Sequence, residues 1–341
     1  MKFYQFEKLK TILYKRFYSI FNLSDMSQVT DFFSKDFPDT FSHYRVLGGI
    51  DRQDDVAVFH AIDIETGRKV AIKFVNIAKY YDYSRFLNGL NIVARLSNKL
   101  IISHLDVWDE GDLHIVVMDD MPNQDLFFHI MEHGHMVETD AAYVMYQLAL
   151  SLQYIHGQGI IHNRLRLENI LIQEKSQKMK IVLTGFSSAT EDVDNYPLEY
   201  DDQDPYLATE LNNGHGPAFP TFATDVYSLG IVFYEMLTGT TPQLWVQGHP
   251  EANGDPFKGG SWGIKSEPLK DLIAGMIATN PAERLTAEDI VNHELFRDLN
   301  EGREKSELET ALVHYLEEGH VSISDAFTAA QEYDESDFFP Y

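Results

Sequence analysis

The chain has 341 residues, of which 44% are hydrophobic, and this is enough for a large buried core. Its 27 basic and 53 acidic residues give a net charge of −26, which excludes a general binder of the nucleic-acid backbone. Cysteine is absent, which excludes disulfides, thiolate metal sites and cysteine nucleophiles. No apolar run approaches about eighteen residues, so we expect no transmembrane segment. With no cysteine and no secretory signal, we expect an intracellular, cytoplasmic protein.

The first 23 residues differ in charge from the rest of the chain, since they carry a net charge of +4. Their apolar residues have the three-to-four spacing of one helix face: Phe6, Leu9, Leu13, Phe17 and Ile20. We therefore predict a basic amphipathic N-terminal extension over residues 1–43, with its helix packed on the main domain. Contact with a membrane surface and a targeting role are the alternatives, and a contact with the chain's own cleft is a third.

The next part of the chain has the pattern of short strands, which flank the turn at 65–67. Helical periodicity appears near 82–96, and apolar runs follow at 100–107 and 114–118. After Pro122 the pattern is mostly helical, over 138–156, 224–238, 267–278, 286–293 and 303–317. A small strand-rich unit therefore precedes a larger helical one.

Several short motifs then follow one another at characteristic spacing. They are V-A-I-K at 70–73, V-M-D-D-M-P at 117–122, H-N-R-L-R-L-E-N at 162–169, L-T-G-F-S at 183–187, A-T-E at 208–210, D-V-Y-S-L-G at 225–230 and R-L-T at 284–286. In this order, the chain from about 44 to 297 resembles the eukaryotic protein kinase domain, with features of the calmodulin-dependent group.

The resemblance implies an α+β, bilobal fold with a β-rich small lobe and an α-helical large lobe. The small lobe is predicted over 44–118, the hinge over 119–123 and the large lobe over 124–297. Residues 298–341 then form an acidic C-terminal tail.

Three positions that the family uses for catalysis carry other residues here. The aspartate that accepts the substrate proton is replaced by Arg164, and a guanidinium cannot act as a base at pH 7. The magnesium-binding aspartate is replaced by Gly185, which has no side-chain oxygen. The glutamate of the small-lobe helix is replaced by Gly89. These three degenerate positions predict a domain without catalytic residues.

The phosphate-binding loop also departs from the family pattern. Counted back from Lys73, its three glycine positions fall on Asp51, Gln53 and Val56. A lengthened loop that begins at Gly48 is the alternative. In either case the aspartates at 51, 54 and 55 would face a polyanion and repel it.

Other family positions are retained. By resemblance, Lys73, Met121 in the hinge and Asn169 are candidates for nucleotide binding, and the alternative is that they are structural residues left from an active ancestor. Glu210 and Arg284 match a buried ion pair. Asp225 matches an aspartate that hydrogen-bonds the backbone of the catalytic loop. These last three residues support the fold and carry no information about activity.

A strongly acidic stretch covers the region that resembles the activation segment. Residues 181–257 contain twelve acidic residues and no lysine or arginine. Arg164 either pairs with these acids or is solvated. Because a kinase receives its peptide here, the charge predicts a basic segment as partner.

These observations together predict a pseudokinase that acts as a scaffold or allosteric regulator of a protein client, such as an active kinase or a basic segment. No cofactor and no metal are expected. Two alternatives would need ATP and magnesium: a nucleotide-dependent transferase of altered chemistry, with Asp51, Asp54, Asp55 and Asn169 as metal ligands, and a weak Ser/Thr kinase.

Overall fold

The structure, a computed structural model, describes residues 40–52, 55–80, 82–174, 179–191, 204–211 and 219–300. The chain divides into two compact units. The sheet unit comprises Met1–Ser84 and Ser103–Met121, and the helical unit comprises Arg85–Ile102 and Pro122–Tyr341. Residues 85–102 thus group with the helical unit, although they fall within the predicted small lobe. The predicted helices over 1–23 and 303–317 lie outside the described residues.

The sheet unit contains a six-stranded antiparallel sheet with the strand order β1-β2-β3-β4-β6-β5. The strands are β1 (Thr40–Phe41), β2 (Tyr44–Arg52), β3 (Val56–Asp63), β4 (Lys69–Asn76), β5 (His104–Glu110) and β6 (Leu113–Asp119). Gly48 pairs with His60 within β2 and β3, and the register shifts on either side of it, between Val46 and Gly48 and between Gly49 and Asp51.

The two faces of the sheet differ because side chains alternate along each strand. One face carries a buried apolar cluster that includes Phe59, Ile72 and Phe74. Trp108 of β5 packs against this cluster and stacks on Phe41, with ring centroids 6.2 Å apart. Lys73 lies between Ile72 and Phe74 in the sequence, so its side chain is on the opposite face.

The described part of the helical unit contains seven α-helices and a two-stranded hairpin. They are α1 (Tyr83–Val93, whose first two residues belong to the sheet unit), α2 (Leu126–His133), α3 (Glu138–Gly157), α4 (Phe222–Thr238), α5 (Pro242–Gly248), α6 (Glu267–Met276) and α7 (Ala287–Val291), with β7 (Ile170–Glu174) and β8 (Lys180–Leu183). Every helix predicted within the described residues is present, with ends that agree to within a few residues.

Helix α4 is the longest buried element in the described part of the helical unit after α3. It is buried on nearly all sides, as expected for a helix with apolar residues around its whole circumference. A capping box between Thr221 and Thr224 starts it, and Gly239, with φ of 71°, ends it. Trp262 is fully buried beside it and donates a hydrogen bond from Nε1 to the Tyr234 hydroxyl over 3.0 Å.

The α+β fold with a strand-rich and a helical part, predicted from the sequence, is confirmed. Among the described residues, no helix combines the length and the apolar character needed to cross a membrane.

Candidate functional site

Lys73 and Met121 both lie in the sheet unit. Lys73 is half-buried on β4, opposite Val58 on one side and Val116 on the other. His104 of β5 lies close to this lysine. Burial, and then the positive charge of Lys73, lower the pKa of His104 to about 4, so its imidazole is neutral at pH 7. Of these two side chains, Lys73 is therefore the one that carries a positive charge at pH 7.

Met121 lies two residues after the end of β6, and each of the two aspartates before it has a partner within the sheet unit. Asp119 accepts a hydrogen bond of 2.6 Å from Arg68. Asp120 lies 2.6 Å from Nδ1 of His60. These contacts connect the end of β6 to other residues of the sheet unit, and Met121 is half-buried beyond them.

The loop at 162–169 is anchored by Asp225 at the start of α4. The carboxylate accepts hydrogen bonds from the backbone N–H of His162 at 2.7 Å and of Asn163 at 2.8 Å, and Nε2 of His156 lies 3.0 Å away. Asp225 is 1% exposed. Three donors thus stabilise the negative charge of Asp225. Asp225 therefore has a structural role, since it holds the backbone of the loop in place.

His162 is fully buried, and both of its ring nitrogens bond to the backbone. Nε2 donates to the carbonyl oxygen of Thr184 at 3.0 Å, and Nδ1 accepts from the N–H of Arg164 at 3.2 Å, a tautomer inferred from these partners. Burial holds the pKa of His162 below its ordinary value. The ring is therefore neutral and has no nitrogen left to accept a proton from a substrate.

Arg164 lies at the position where the family pattern has the catalytic base. Its side chain is exposed at the mouth of a small cavity of about 50 Å³, which Arg166, Asp204 and Ser228 also line. A guanidinium donates hydrogen bonds only and keeps its proton at any physiological pH. The cavity therefore lacks a general base at this position.

Arg166 belongs to a mostly buried polar cluster that the sequence reasoning missed. Its guanidinium stacks on Tyr206 at 5.0 Å and lies 3.4 Å from Glu168 and 3.6 Å from Asp204. The Tyr206 hydroxyl donates to Glu235 of α4. Burial raises the pKa of Glu235 to about 8. The signal that could have revealed this cluster is an acid inside the otherwise apolar run I-V-F-Y-E-M-L.

Gly185 and Asn169 are in direct contact. Gly185 has φ of 87°, in the left-handed region that favours glycine. A Cβ atom on Gly185 would lie 2.5 Å from both Nδ2 and Oδ1 of Asn169. The Asn169 amide donates a hydrogen bond of 2.7 Å to the carbonyl oxygen of Arg164. The side chain of Asn169 thus fills the space that a side chain at position 185 would need.

These residues do not fit a magnesium ion as the family binds it. Position 185 has no oxygen ligand, and Asn169 can offer only its amide oxygen, since its Nδ2 donates to the carbonyl oxygen of Arg164. Across the part of the chain that the structure describes, no group of three or more His, Asp or Glu side chains could hold a metal ion. Asp51 and Asp54, proposed as ligands for a transferase, have no described side chains.

Gly89 lies on α1 where the helix meets the segment after Gly185. A Cβ atom on Gly89 would lie 2.8 Å from the carbonyl carbon of Phe186 and 2.9 Å from Cα of Ser187. Its neighbour Asn88 donates a hydrogen bond of 2.9 Å to the carbonyl oxygen of Ala189. The helix can approach this backbone only because position 89 has no side chain.

The structure also brings Glu210 and Arg284 together. Two hydrogen bonds of 2.6 Å join the guanidinium to the carboxylate, and Arg284 stacks on Tyr227 at 5.0 Å. Most of the acidic residues of the predicted activation segment lie outside the described residues: Asp192, Asp194, Glu199, Asp201 and Asp202.

The protein kinase domain family matches residues 55–296. The chain is 29% identical over 262 residues to calcium/calmodulin-dependent protein kinase type I of Schizosaccharomyces pombe, covering 73% of this chain and 76% of that one. It is 28% identical over 267 residues to the meiosis-specific serine/threonine-protein kinase mek1 of the same yeast, covering 73% and 57%.

A third relative is calcium-dependent protein kinase 3 of Plasmodium berghei, with 27% identity over 248 residues. That match covers 70% of this chain and 44% of the relative. The chain thus spans about half the length of several curated relatives that it matches.

Proposed function

Because the chain belongs to the protein kinase family, we propose that it is a pseudokinase that binds a protein client as a scaffold or allosteric regulator. The observation that carries this proposal is the pair Arg164 and Gly185. Both groups that a kinase uses on the transferred phosphate and on the substrate hydroxyl, a carboxylate base and a magnesium carboxylate, are replaced by residues that cannot do their chemistry.

The size of the expected loss in reaction rate supports inactivity. Loss of general-base assistance alone typically slows a reaction by about 10²–10⁴-fold. His162, two residues before Arg164, offers no substitute base, because both of its ring nitrogens bond to the backbone. Phosphoryl transfer also needs the metal to neutralise charge on the phosphate oxygens, and Gly185 supplies no ligand for it.

The retained residues support a role that depends on the fold. Asp225 anchors the loop at 162–169, and the Arg284–Glu210 ion pair joins distant parts of the helical unit. These contacts keep a kinase-like surface formed while the reactive groups are absent. Such a surface can bind a client without any chemical step.

We infer that the client offers a basic segment. Residues 181–257 contain twelve acidic residues and no lysine or arginine. Glu210, Asp225 and Glu235 are held within the fold, but seven of the other acids lie at 191–204, in the stretch that resembles the activation segment. Like-charge repulsion disfavours acidic partners there, and a cationic segment gains Coulomb attraction and faster association.

Two assays test inactivity. In a thermal-shift titration with ATP, with and without Mg²⁺ or Mn²⁺, we expect no stabilisation, whereas a ligand at a hundredfold excess over its dissociation constant would add about 2.7 kcal/mol. In a phosphate-transfer assay we expect no labelled product. Transfer that is abolished by Lys73→Ala would overturn the proposal.

A binding assay tests the client class. The probe is a synthetic peptide with the sequence of residues 1–23, added to the full chain, and its control is the same peptide with each lysine and arginine changed to glutamate. We expect the basic peptide alone to bind, and to bind more weakly as salt is raised from 50 to about 300 mM. Equal binding of both peptides would contradict a basic client.

A further inference from the structure

We propose that residues 1–23 dock as a helix on strand β5 of the same chain, with their apolar face on Leu105 and Val107 and their cations beside the acids of 106–112. The inference goes beyond the proposed function and does not rest on it, because it concerns the sheet unit alone. It assigns one binding surface to an N-terminal extension for which the sequence leaves several alternatives open.

Strand β5 is an exposed edge of the sheet. Within the part of the chain that the structure describes, β5 pairs only with β6, and the opposite edge, β1, has two residues. Leu105 and Val107 of β5 are 36% and 41% exposed. A seven-residue edge strand with exposed apolar side chains is a surface that proteins commonly cover with a helix or a loop.

The surroundings of these two side chains are acidic. Residues 103–114 contain no lysine or arginine. They contain four exposed acids: Asp106, Asp109, Glu110 and Asp112. Segment 1–23 has the opposite charge, with four lysines and one arginine against a single glutamate. Complementary charges around an apolar contact speed association and fix its register.

The order of residues in segment 1–23 fits this surface. On a helix, its apolar residues form one face between Phe6 and Ile20, and Lys10 and Arg16 border that face on opposite sides. When the apolar face lies on Leu105 and Val107, these two cations therefore lie next to the acids of β5 and of the turn that follows it.

The lengths of the two surfaces also agree. From Phe6 to Ile20 a helix rises about 21 Å, at about 1.5 Å per residue. Strand β5, His104–Glu110, spans about 20 Å, at about 3.4 Å per residue. The apolar face of the helix and the strand can therefore be in contact along their whole length.

The N-terminal extension joins the described structure beside β5. Phe41 of β1 and Tyr44 of β2 both stack on Trp108 of β5, with ring centroids 6.2 and 6.4 Å apart. Residues 24–39 connect the segment to β1 and can span at most about 50 Å. A linker of this length keeps the segment near β5 at an effective concentration on the order of millimolar. Contact within one chain is therefore favoured over contact with a second copy.

The outer edge of β5 favours a helix over an added strand as the occupant. The N–H of Val107 donates to Oδ1 of Asp106 at 2.9 Å and is therefore not used in the ladder with β6. A strand that joined β5 would have to displace this carboxylate. A helix satisfies its own backbone groups and can leave the contact intact.

Zero-length cross-linking of the full chain tests where the segment lies, because a carbodiimide joins an amine to a carboxylate only where the two are in contact. We expect the lysines of 1–23 to link to residues 103–114 about tenfold more often than to Glu267 and Asp271, whose side chains are both 86% exposed. A mixture of natural and isotope-labelled chains identifies links between copies. Links mainly to other carboxylates, links between copies, or no links would overturn the inference.

Hydrogen exchange tests the apolar part of the contact. In the full chain we expect the amides of residues 6–20 to be protected, and Val107→Glu should accelerate their exchange about tenfold. The matched control is Ile264→Glu, which places the same charge at an apolar side chain of the helical unit that is 87% exposed, and it should leave these amides unchanged. Equal effects of the two variants would contradict docking on β5.

The same measurement tests the charged part of the contact. The double variant Glu110→Lys with Asp112→Lys should accelerate exchange at 6–20 about tenfold, and added salt should weaken the protection of the natural chain. The control, Glu132→Lys with Asp298→Lys, changes the net charge equally at two exposed acids of the helical unit. An equal effect of both double variants would show attraction by the net charge alone and would overturn the inference.

Two further outcomes of the exchange experiment distinguish other occupants of β5 and other uses of the segment. Protection at 6–20 that rises with protein concentration would indicate contact between two copies. Protection that appears only with vesicles of phosphatidylcholine and phosphatidylserine would indicate a membrane-surface segment. Either result, or amides at 6–20 that exchange without protection in the natural chain, would overturn the inference.

Discussion

Arg284 and Glu210 form a bidentate ion pair in which the arginine side chain is 0% exposed and the glutamate 24% exposed. The same guanidinium also donates to the carbonyl oxygens of Ala278 and Ala223, at 2.7 and 3.0 Å. One side chain therefore links the residues before α4, α4 itself and the segment after α6. Removing it leaves a carboxylate and two carbonyl oxygens without their donor.

The first prediction concerns this arginine. Arg284→Ala should lower the free energy of unfolding by about 3–5 kcal/mol, since breaking a buried pair strands the remaining charge. Urea unfolding of the full chain measures the loss. Arg68→Ala, which breaks an ion pair whose side chains are 52% and 34% exposed, is the control and should cost less than about 1 kcal/mol. A similar cost for both variants would contradict the structural role given to Arg284.

The second prediction concerns the anchor of the loop at 162–169. Asp225→Asn keeps the size of the side chain but leaves one acceptor oxygen for two backbone N–H groups. One buried N–H then loses its partner, and we expect a loss of about 1–3 kcal/mol in the free energy of unfolding. Asp271→Asn, at a side chain that is 86% exposed, should change it by less than about 0.5 kcal/mol. An Asp225→Asn chain as stable as this control would show that the backbone N–H groups find other acceptors.

The third prediction is a pH dependence that arises from Glu235. Its folded pKa of about 8 lies above the ordinary value of 4.5, because burial disfavours the charge and Glu168 and Asp204 repel it, against the Tyr206 hydrogen bond and the Arg166 charge. Between pH 4.5 and about pH 8, the folded state therefore binds a proton at this group that the unfolded state does not bind. The stability from this group is complete below pH 4.5 and is lost as the pH rises towards 8.

Glu235→Gln removes this dependence while it keeps an oxygen for the Tyr206 hydroxyl. Relative to the natural chain, the variant should gain stability by about 1 kcal/mol per pH unit between pH 5.5 and 8. Denaturant midpoints at several pH values measure the difference. A difference that does not change with pH would show that Glu235 is ionised in the folded chain.

The fourth prediction concerns His104, whose effect on stability has the opposite pH dependence to that of Glu235. Burial beside Lys73 lowers its folded pKa to about 4 from 6.5, so the unfolded chain binds the extra proton below pH 6.5. Stability is therefore lost as the pH falls from 6.5 towards 4. His104→Gln should reduce the slope of the unfolding free energy against pH by about 1 kcal/mol per pH unit in that range. His135→Gln, at an exposed histidine, is the control for the loss of an imidazole. Parallel profiles for the natural chain and His104→Gln would refute this.

The sequence sufficed for the fold, because the fold follows from local patterns, and patterns of the same kind predict the replaced positions. Strand alternation, helical periodicity and the order of motifs depend on neighbours in the chain. The position of Gly89 followed from the apolar register of α1, and that of Gly185 from the motif L-T-G-F-S.

The packing around these glycines could not be predicted, because it depends on distances between residues far apart in the sequence. Nothing in the sequence indicates that the amide of Asn169 fills the space beside Gly185, or that Gly89 meets the backbone at Phe186. The cluster of Arg166, Tyr206 and Glu235 was missed for the same reason, since its members come from three separate segments.

The distribution of the tryptophans gives the protein its own optical probes. Trp108 is the one tryptophan of the sheet unit, while Trp245 and Trp262 both lie in the helical unit. In a chain with Trp245→Phe and Trp262→Phe the tryptophan fluorescence would therefore come only from the sheet unit, and in a chain with Trp108→Phe only from the helical unit. Fluorescence of these two chains during denaturation would report whether the units melt together or one after the other.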